Sequence, residues 1–310
     1  MGNKVVKSDP IIVGIDHGYG FIKTETMIMK SGVKEIPVKS AFSHQILEYG
    51  DSCYVVGQVR NNHRANKTET QDYYILTLAA IADELKKRGR KKADIVIAAG
   101  LPFSFFGTQK DDFKWYLLRN KNEEIEFTYE DISYQIVIED VQLFPQGFPI
   151  IAKELASLTG RTVLVDIGSR TIDILTFDGS QALHEGCFSM NGGVINCIES
   201  IQKAFMTKYQ RQLDENLLQD FFQKKRVDLP IEELSFIEKL VRYYVKNTIF
   251  SEMEAKGVDL TYGKIVFCGG GATVVQEFGD LVKNMRVIND INANAKGYVY
   301  LCKGLRAGGN

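Results

Sequence analysis

Two stretches of this 310-residue chain carry parallel text 150 positions apart. VGIDHGYGFIK (Val13–Lys23) and VLVDIGSRTID (Val163–Asp173) each run an apolar strand into Asp-x-Gly. Each crosses a short turn of small or polar residues and reaches a second charged residue seven positions after the aspartate. A single Asp-x-Gly is an ordinary turn. Two matched copies about one domain length apart predict two related lobes that present similar loops to one ligand between them.

Composition narrows the class. Hydrophobic residues make up 45% and charged residues 25%, as in ordinary globular proteins. A net charge of −1 provides no global field to recruit nucleic acid, so direct DNA binding is not expected. The longest apolar runs (IVIAAGLPF, TVLVDIG, KIVFCGGG) are strand-length, well short of the ~20 residues that span a bilayer. MGNKVVKSDP has no apolar h-region, so no signal peptide is expected, and Val6 stands where a myristoylation motif needs Ser or Thr. The five cysteines form no CxxC pair and read as reduced, mostly buried residues of a cytoplasmic protein. His44, His63 and His184 have no metal-ligand spacing.

The order of elements is α/β with a duplicated core. A buried strand at 11–16 turns at Gly18–Gly20, and GFIKTETMIM reads as its returning hairpin strand. Short strands at 35–38 and 52–57 follow. Tyr74, Leu78, Ile81, Ala82 and Leu85 give helix spacing over 72–88, closed by Gly89. Ala93–Pro102 is a buried strand, and Phe103, Phe105 and Phe106 read as an aromatic loop most simply assigned to core. Strands at 125–127 and 134–139 precede a helix from Pro149 through Leu158. The pattern then restarts: a strand at 162–166, its partner at 171–177, a third near 181–187, and a helix over 194–209 after Gly192 and Gly193. Charged helices fill 213–260. A strand at 264–268 runs into GGGA and a helix through Phe278, and NANAKGYVYLCKGL forms a closing helix. The expected lobes are 1–160, with a small insertion at about 34–90, and 161–310, with a helical insertion at about 205–260. The helix at about 290–305 is expected to pack back on the first lobe.

Three glycine-rich turns each follow a buried strand, at Asp16, Asp166 and Cys268. Glycine lets the backbone approach a ligand and aim successive N–H groups at an anion. A facing pair of such loops, Gly18-Tyr19-Gly20 and Gly168-Ser169-Arg170-Thr171, can clamp the β- and γ-phosphates of a nucleotide. Lys23 adds a point charge. Asp16 and Asp166 are hard oxygen ligands suited to Mg²⁺ through water. Gly269, Gly270 and Gly271 can receive phosphate or ribose. Gly192 and Gly193 either lie under base or ribose or form a plain strand-to-helix turn, and Asp173 is open between a metal or water contact and a hairpin role. Six basic residues in the seven positions Lys86–Lys92 read first as a solvated helix end, with a DNA or filament patch as the alternative.

These motifs resemble the phosphate-1, phosphate-2 and adenosine motifs of the actin, heat-shock chaperone and sugar kinase ATPase superfamily, in that order and across nearly the whole chain. GIDHGYGFIK, LFPQG (Leu143–Gly147), LVDIGSRTIDI, MNGG (Met190–Gly193), FCGGGA and INANAKGYVYL most resemble the bacterial actin-like plasmid segregation proteins of the ParM/StbA type. The resemblance implies duplicated actin-like, ribonuclease H-like lobes with a nucleotide cleft between them. Asp16 resembles the phosphate-1 aspartate, Lys23 the phosphate-contacting lysine and Asp166 the metal-proximal phosphate-2 aspartate. Gln146 falls where relatives place the Gln or Glu that orients the attacking water. His17 and Arg170 depart from the small or polar residues usual there.

The function so implied is an ATPase (ATP, with GTP possible, and Mg²⁺) that assembles nucleotide-dependent filaments to segregate plasmid DNA. Its partners would be further copies of itself and a DNA-binding adaptor on a centromere-like site, with no direct membrane contact. The alternatives are a sugar or metabolite kinase of the same superfamily and a cytoskeletal actin-like protein not tied to plasmids. A kinase is expected to be longer and to carry a distinct base for the sugar hydroxyl. A chaperone is expected to continue into a substrate-binding domain.

Overall fold

The computed structural model describes residues 9–39, 44–58, 60 and 66–308. His63 lies outside them. The described chain forms two compact units, residues 9–145 with 292–308, and Gln146–Ile291.

The first unit is built from β1 (Ile11–His17), β2 (Phe21–Lys23), β3 (Ile28–Lys30), β4 (Val33–Ile36), β5 (Ile46–Tyr49), β6 (Ser52–Val56), α1 (Asp72–Lys87), β7 (Lys92–Leu101), α2 (Phe103–Leu117), β8 (Glu124–Tyr129) and β9 (Ile132–Pro145). The strands form one sheet in the order β3-β2-β1-β7-β9-β8-β5-β6-β4. Its centre is parallel, β1 on β7 and β7 on β9. A parallel centre needs both faces covered, which is why β7 is apolar at consecutive positions. Ile95, Ile97 and Ala99 pack with the α1 side chains, while Val96 and Ala98 pack with Phe144, Tyr298 and Cys302. Tyr298 and Cys302 belong to α9 (Ala293–Ala307), which returns to this unit beside β1 and β7. Asn292 begins that return by donating its side-chain amide to the Thr24 and Met27 carbonyls.

The second unit contains α3 (Phe148–Ile151), β10 (Arg161–Ile167), β11 (Thr171–Asp178), β12 (Gln181–Ala182), β13 (Phe188–Asn191), α4 (Val194–Tyr209), α5 (Glu215–Phe222), α6 (Ile231–Tyr244), α7 (Ser251–Ala255), β14 (Lys264–Cys268), α8 (Ala272–Phe278) and β15 (Met285–Val287). Val245–Phe250 links α6 to α7 as a π-helical turn. The sheet order is β12-β11-β10-β14-β15, with β13 also paired to β11. β10 therefore has an antiparallel hairpin partner on one side and a parallel strand on the other, the same neighbourhood that β1 has between β2 and β7. The sequence repeat is thus a structural repeat, carried once by each unit.

Several local expectations are corrected. GFIKTETMIM is not one returning strand: the Thr24 amide donates to the Met27 carbonyl, and the Met27 amide to the Thr24 hydroxyl, which splits it into β2 and β3. Phe103–Phe106 is not a loop but the first turn of α2, started by Pro102. The helix expected from Pro149 to Leu158 is only α3 followed by a 3₁₀ turn at Leu155–Ser157. The strand near 181–187 is the two-residue β12, a turn, and then β13. The division into units falls at Gln146, ahead of the expected boundary at 160/161, and Phe148 stacks on Phe177 of β11. All five cysteines are free, and three of them are buried. Among the described residues no helix is long and apolar enough to cross a membrane.

Half of the basic run is committed within the first unit. Lys86 pairs with Glu130 at 2.8 Å, Lys87 donates to the Thr26 carbonyl and hydroxyl at 2.6 Å, and Arg88 pairs with Glu84 and Glu25. Burial would raise the Glu84 carboxyl, but bonds from Thr24, Thr26 and Arg88 outweigh it and hold the group below its ordinary range. Glu84 is thus the tie between α1 and the β2–β3 turn. Arg90, Lys91 and Lys92 are exposed.

Candidate functional site

In each unit the aspartate of the motif closes a buried strand, and the residue seven positions later lies directly opposite it across the hairpin. Asp16 faces Lys23 in the β1–β2 register, and Asp166 faces Asp173 in the β10–β11 register. The seven-residue offset is a hairpin geometry, since a tight turn returns the chain to the same level of the sheet.

In the first unit Asp16 is buried and Lys23 nearly so, with the ammonium 3.4 Å from the Asp16 carboxylate. Gly18, Tyr19 and Gly20 form the turn between them. The Gly18 carbonyl accepts the Ser31 hydroxyl at 2.7 Å, and the Ser31 amide donates to the Gly20 carbonyl at 3.0 Å. β3 therefore supports the turn from behind. His17 is fully buried and does not join it: Nε2 lies 2.8 Å from the Thr77 hydroxyl, and the ring stands edge-on to Phe113. The Thr77 hydroxyl in turn donates to the Tyr73 carbonyl at 2.6 Å. Burial, and behind it the Lys67 charge, push the imidazole down to about 3. His17 is a neutral anchor between the end of β1 and α1.

In the second unit two segments distant in sequence close on Asp166, itself 7% exposed. A Cβ placed on Gly269 would meet the Asp166 Oδ1 at 2.1 Å, and Gly269 has φ of +84°, so both space and backbone require glycine there. On another side Gly147 lies so close that its Cβ would sit 3.6 Å from the Asp166 Cβ. The neighbouring Gln146 is itself buried. The Gly271 amide donates to the Ile167 carbonyl at 2.9 Å, fixing the third glycine loop to the end of β10.

The Gly168–Thr171 turn is held by the start of α4. Gly192 and Gly193 amides donate to the Arg170 carbonyl, Val194 to Gly168 and Ile195 to Ser169, at 2.8–3.3 Å. These first amides of α4 are engaged with the turn, so α4 shapes the loop instead of offering its own amides to an anion. A Cβ on Gly193 would lie 2.5–2.6 Å from backbone atoms of residues 168–170. Arg170 projects to Glu199 of α4 at 2.9 Å. Asp173 is buried and accepts the Ser189 hydroxyl of β13. Beside this turn a small hollow is lined by Gly192, Gly193, Gly271 and Tyr244, whose buried hydroxyl the sequence did not point to. Among the described residues no three His, Cys, Asp or Glu side chains gather as a metal cluster.

The structure thus brings together Asp16, Gly18, Tyr19, Gly20 and Lys23 in one unit. In the other it brings together Gln146, Asp166, Gly168, Ser169, Arg170, Thr171, Gly192, Gly193 and Gly269–Gly271. Sequence models of two families match these regions: the N-terminal domain of actin-like proteins over residues 14–148, and the C-terminal domain of archaeal MreB-like actin homologues over residues 164–279. Both models describe domains of actin homologues, and each covers less than half of the chain. Solved structures with the same fold include the archaeal actin homologue Ta0583 in complex with ADP (TM-score 0.75, 20% identity, covering 95% of this chain and 99% of that one). A ParM from a 15-stranded filament of Clostridium botulinum is similar (TM-score 0.74, 20% identity, 96% and 99% covered). So is a non-polymerisable mutant of the pCBH ParM (TM-score 0.72, 23% identity, 94% and 99% covered). No curated protein matches the sequence.

Proposed function

We propose that this protein is a nucleoside triphosphatase whose bound nucleotide governs assembly into filaments. The observation that carries the reading is the close approach of Gly147 and Gly269, from two segments distant in sequence, to the buried Asp166 beside the Gly168–Thr171 turn. The first unit supplies the matching Asp16–Lys23 hairpin. In this reading each glycine turn offers its backbone to phosphate oxygens, Lys23 gives its turn a compact positive charge, and the Gly269–Gly271 loop takes the nucleoside side. The carboxylates of Asp16 and Asp166 suit a hydrated Mg²⁺, which when bound would neutralise charge on the phosphate oxygens. Gln146 positions the attacking water by hydrogen bonds. An amide cannot accept a proton as a carboxylate does, so the rate rests on electrostatic stabilisation and turnover is slow. Slow turnover suits a timer that sets how long a polymer persists.

The narrower reading is plasmid DNA segregation, with a DNA-binding adaptor as partner, and the ParM likeness supports it. A cytoskeletal filament not tied to plasmids is the second reading, favoured by the equal likeness of the archaeal actin homologue. Right-angle light scattering with sedimentation, on addition of ATP–Mg²⁺ and separately GTP–Mg²⁺, tests the common part. Scattering should rise with triphosphate and decay as phosphate is released. Absence of any sedimentable polymer across protein concentrations would reject filament assembly, and a coupled hexokinase-type assay would then test sugar phosphorylation. Centromere-like DNA with the adaptor should alter filament dynamics only under the plasmid reading.

A further inference from the structure

The segment between β6 and α1 brings two cations to the turn that follows β1. Lys67 is 3% exposed, and its ammonium lies 4.9 Å from the Tyr19 ring centroid and 5.6 Å from that of Tyr73. Arg60 of the same segment sits 6.0 Å over the ring of Phe21. Tyr19 and Phe21 are the aromatic residues on either side of Gly20, and the Tyr73 hydroxyl reaches the Gly18 carbonyl at 3.5 Å. The turn is thus gripped through its aromatic residues by a segment that is distant in sequence. An ammonium is buried only where neighbouring groups offset its lost hydration, and the Tyr19 and Tyr73 rings face it here. A lysine in such a place is a candidate for a functional charge.

We infer that Lys67 is a positioning residue of the phosphate site: its buried ammonium holds Tyr19, keeps the Gly18–Gly20 turn in its anion-receiving form, and adds positive potential for the polyphosphate tail of a nucleotide. This rests on the nucleotide reading above. It gives the turn two cations of different kinds. Lys23 is engaged with Asp16 across the hairpin, whereas Lys67 acts through the aromatic side of the turn. Occupancy of the turn is thereby coupled to the segment that leads into α1, so a change in phosphate number is felt at the start of that helix.

The test is equilibrium binding of ATP, ADP and adenosine to the full chain and to its K67Q, K67M and K67R variants, with the unfolding midpoint of each measured alongside. K67Q should weaken ATP by about tenfold, ADP by less and adenosine hardly at all, since charge acts on the phosphates. K67R should stay within about threefold of the parent for ATP because the charge and the ring contact survive. If K67Q does not fold, K67M is read in its place. If neither folds, Y19L, which removes the ring beneath the ammonium, should show the same graded loss. Equal loss for ATP and adenosine would reduce Lys67 to a structural residue and overturn the inference. So would unchanged ATP binding in the neutral variants. If the parent chain binds no nucleotide, the site reading itself fails, a result distinct from either of these.

Discussion

His17 shows how one side chain can be read two ways until its partners are seen. It directly follows Asp16, yet its ring lies against Thr77 and Phe113. Its sign in stability follows from the lowered proton affinity. Above about pH 6.5 the ring is neutral both folded and unfolded and contributes no pH dependence. Below that the unfolded chain takes up a proton that the folded one refuses until about pH 3, so stability falls as pH drops through this window. The slope should reach ~1.4 kcal/mol per pH unit, and H17F should lose it; denaturant unfolding at a series of pH values reads both. Asp166 and Gln146 make the complementary pair of residue predictions. D166A should abolish phosphate release while the chain stays folded, and normal release would sink the metal assignment. Q146A should slow hydrolysis and let polymers persist, whereas fast disassembly would mean that Gln146 does not position water.

Elements that repeat, or that bury a clear periodic face, were legible in the sequence. α1 buries Tyr74, Leu78, Ile81, Ala82 and Leu85, and α4 and β14 run over the residues their patterns predicted. Short strands were not legible, because β5, β13 and β15 hold only three or four residues each and owe their form to neighbours in the sheet. The aromatic text of Phe103–Phe106 misled for a related reason: helix α2 is set by Pro102 and by Phe113 and Leu117 further along, not by local composition. Lys67 was invisible, lying in a polar stretch whose burial depends on Tyr19 and Tyr73 from other segments. The packing of α4 against the second glycine turn gives the element-scale prediction. G193A puts a methyl into the backbone of residues 168–170, a contact that no side-chain rotation relieves. Nucleotide affinity should fall about tenfold or more, while far-UV circular dichroism stays unchanged. Full affinity in this variant would mean that the turn is not part of the binding surface.

At the scale of the whole molecule, duplication does most of the explaining. Each unit carries a hairpin with a buried aspartate, and the unequal residues opposite those aspartates, Lys23 and Asp173, make the two turns chemically different. That much follows from the repeated text. Which surfaces join one copy to the next does not, because filament contacts are patches drawn from many elements and leave no period in the sequence. The exposed Arg90, Lys91 and Lys92 remain available for such a contact once Lys86, Lys87 and Arg88 are committed within the first unit. Negative-stain electron microscopy of the purified chain with ATP–Mg²⁺, with ADP–Mg²⁺ and without nucleotide tests the central claim most directly. Filaments should form with ATP and disappear as it is consumed. A chain that binds ATP yet shows no filaments in any of the three conditions, at any protein concentration, would contradict it.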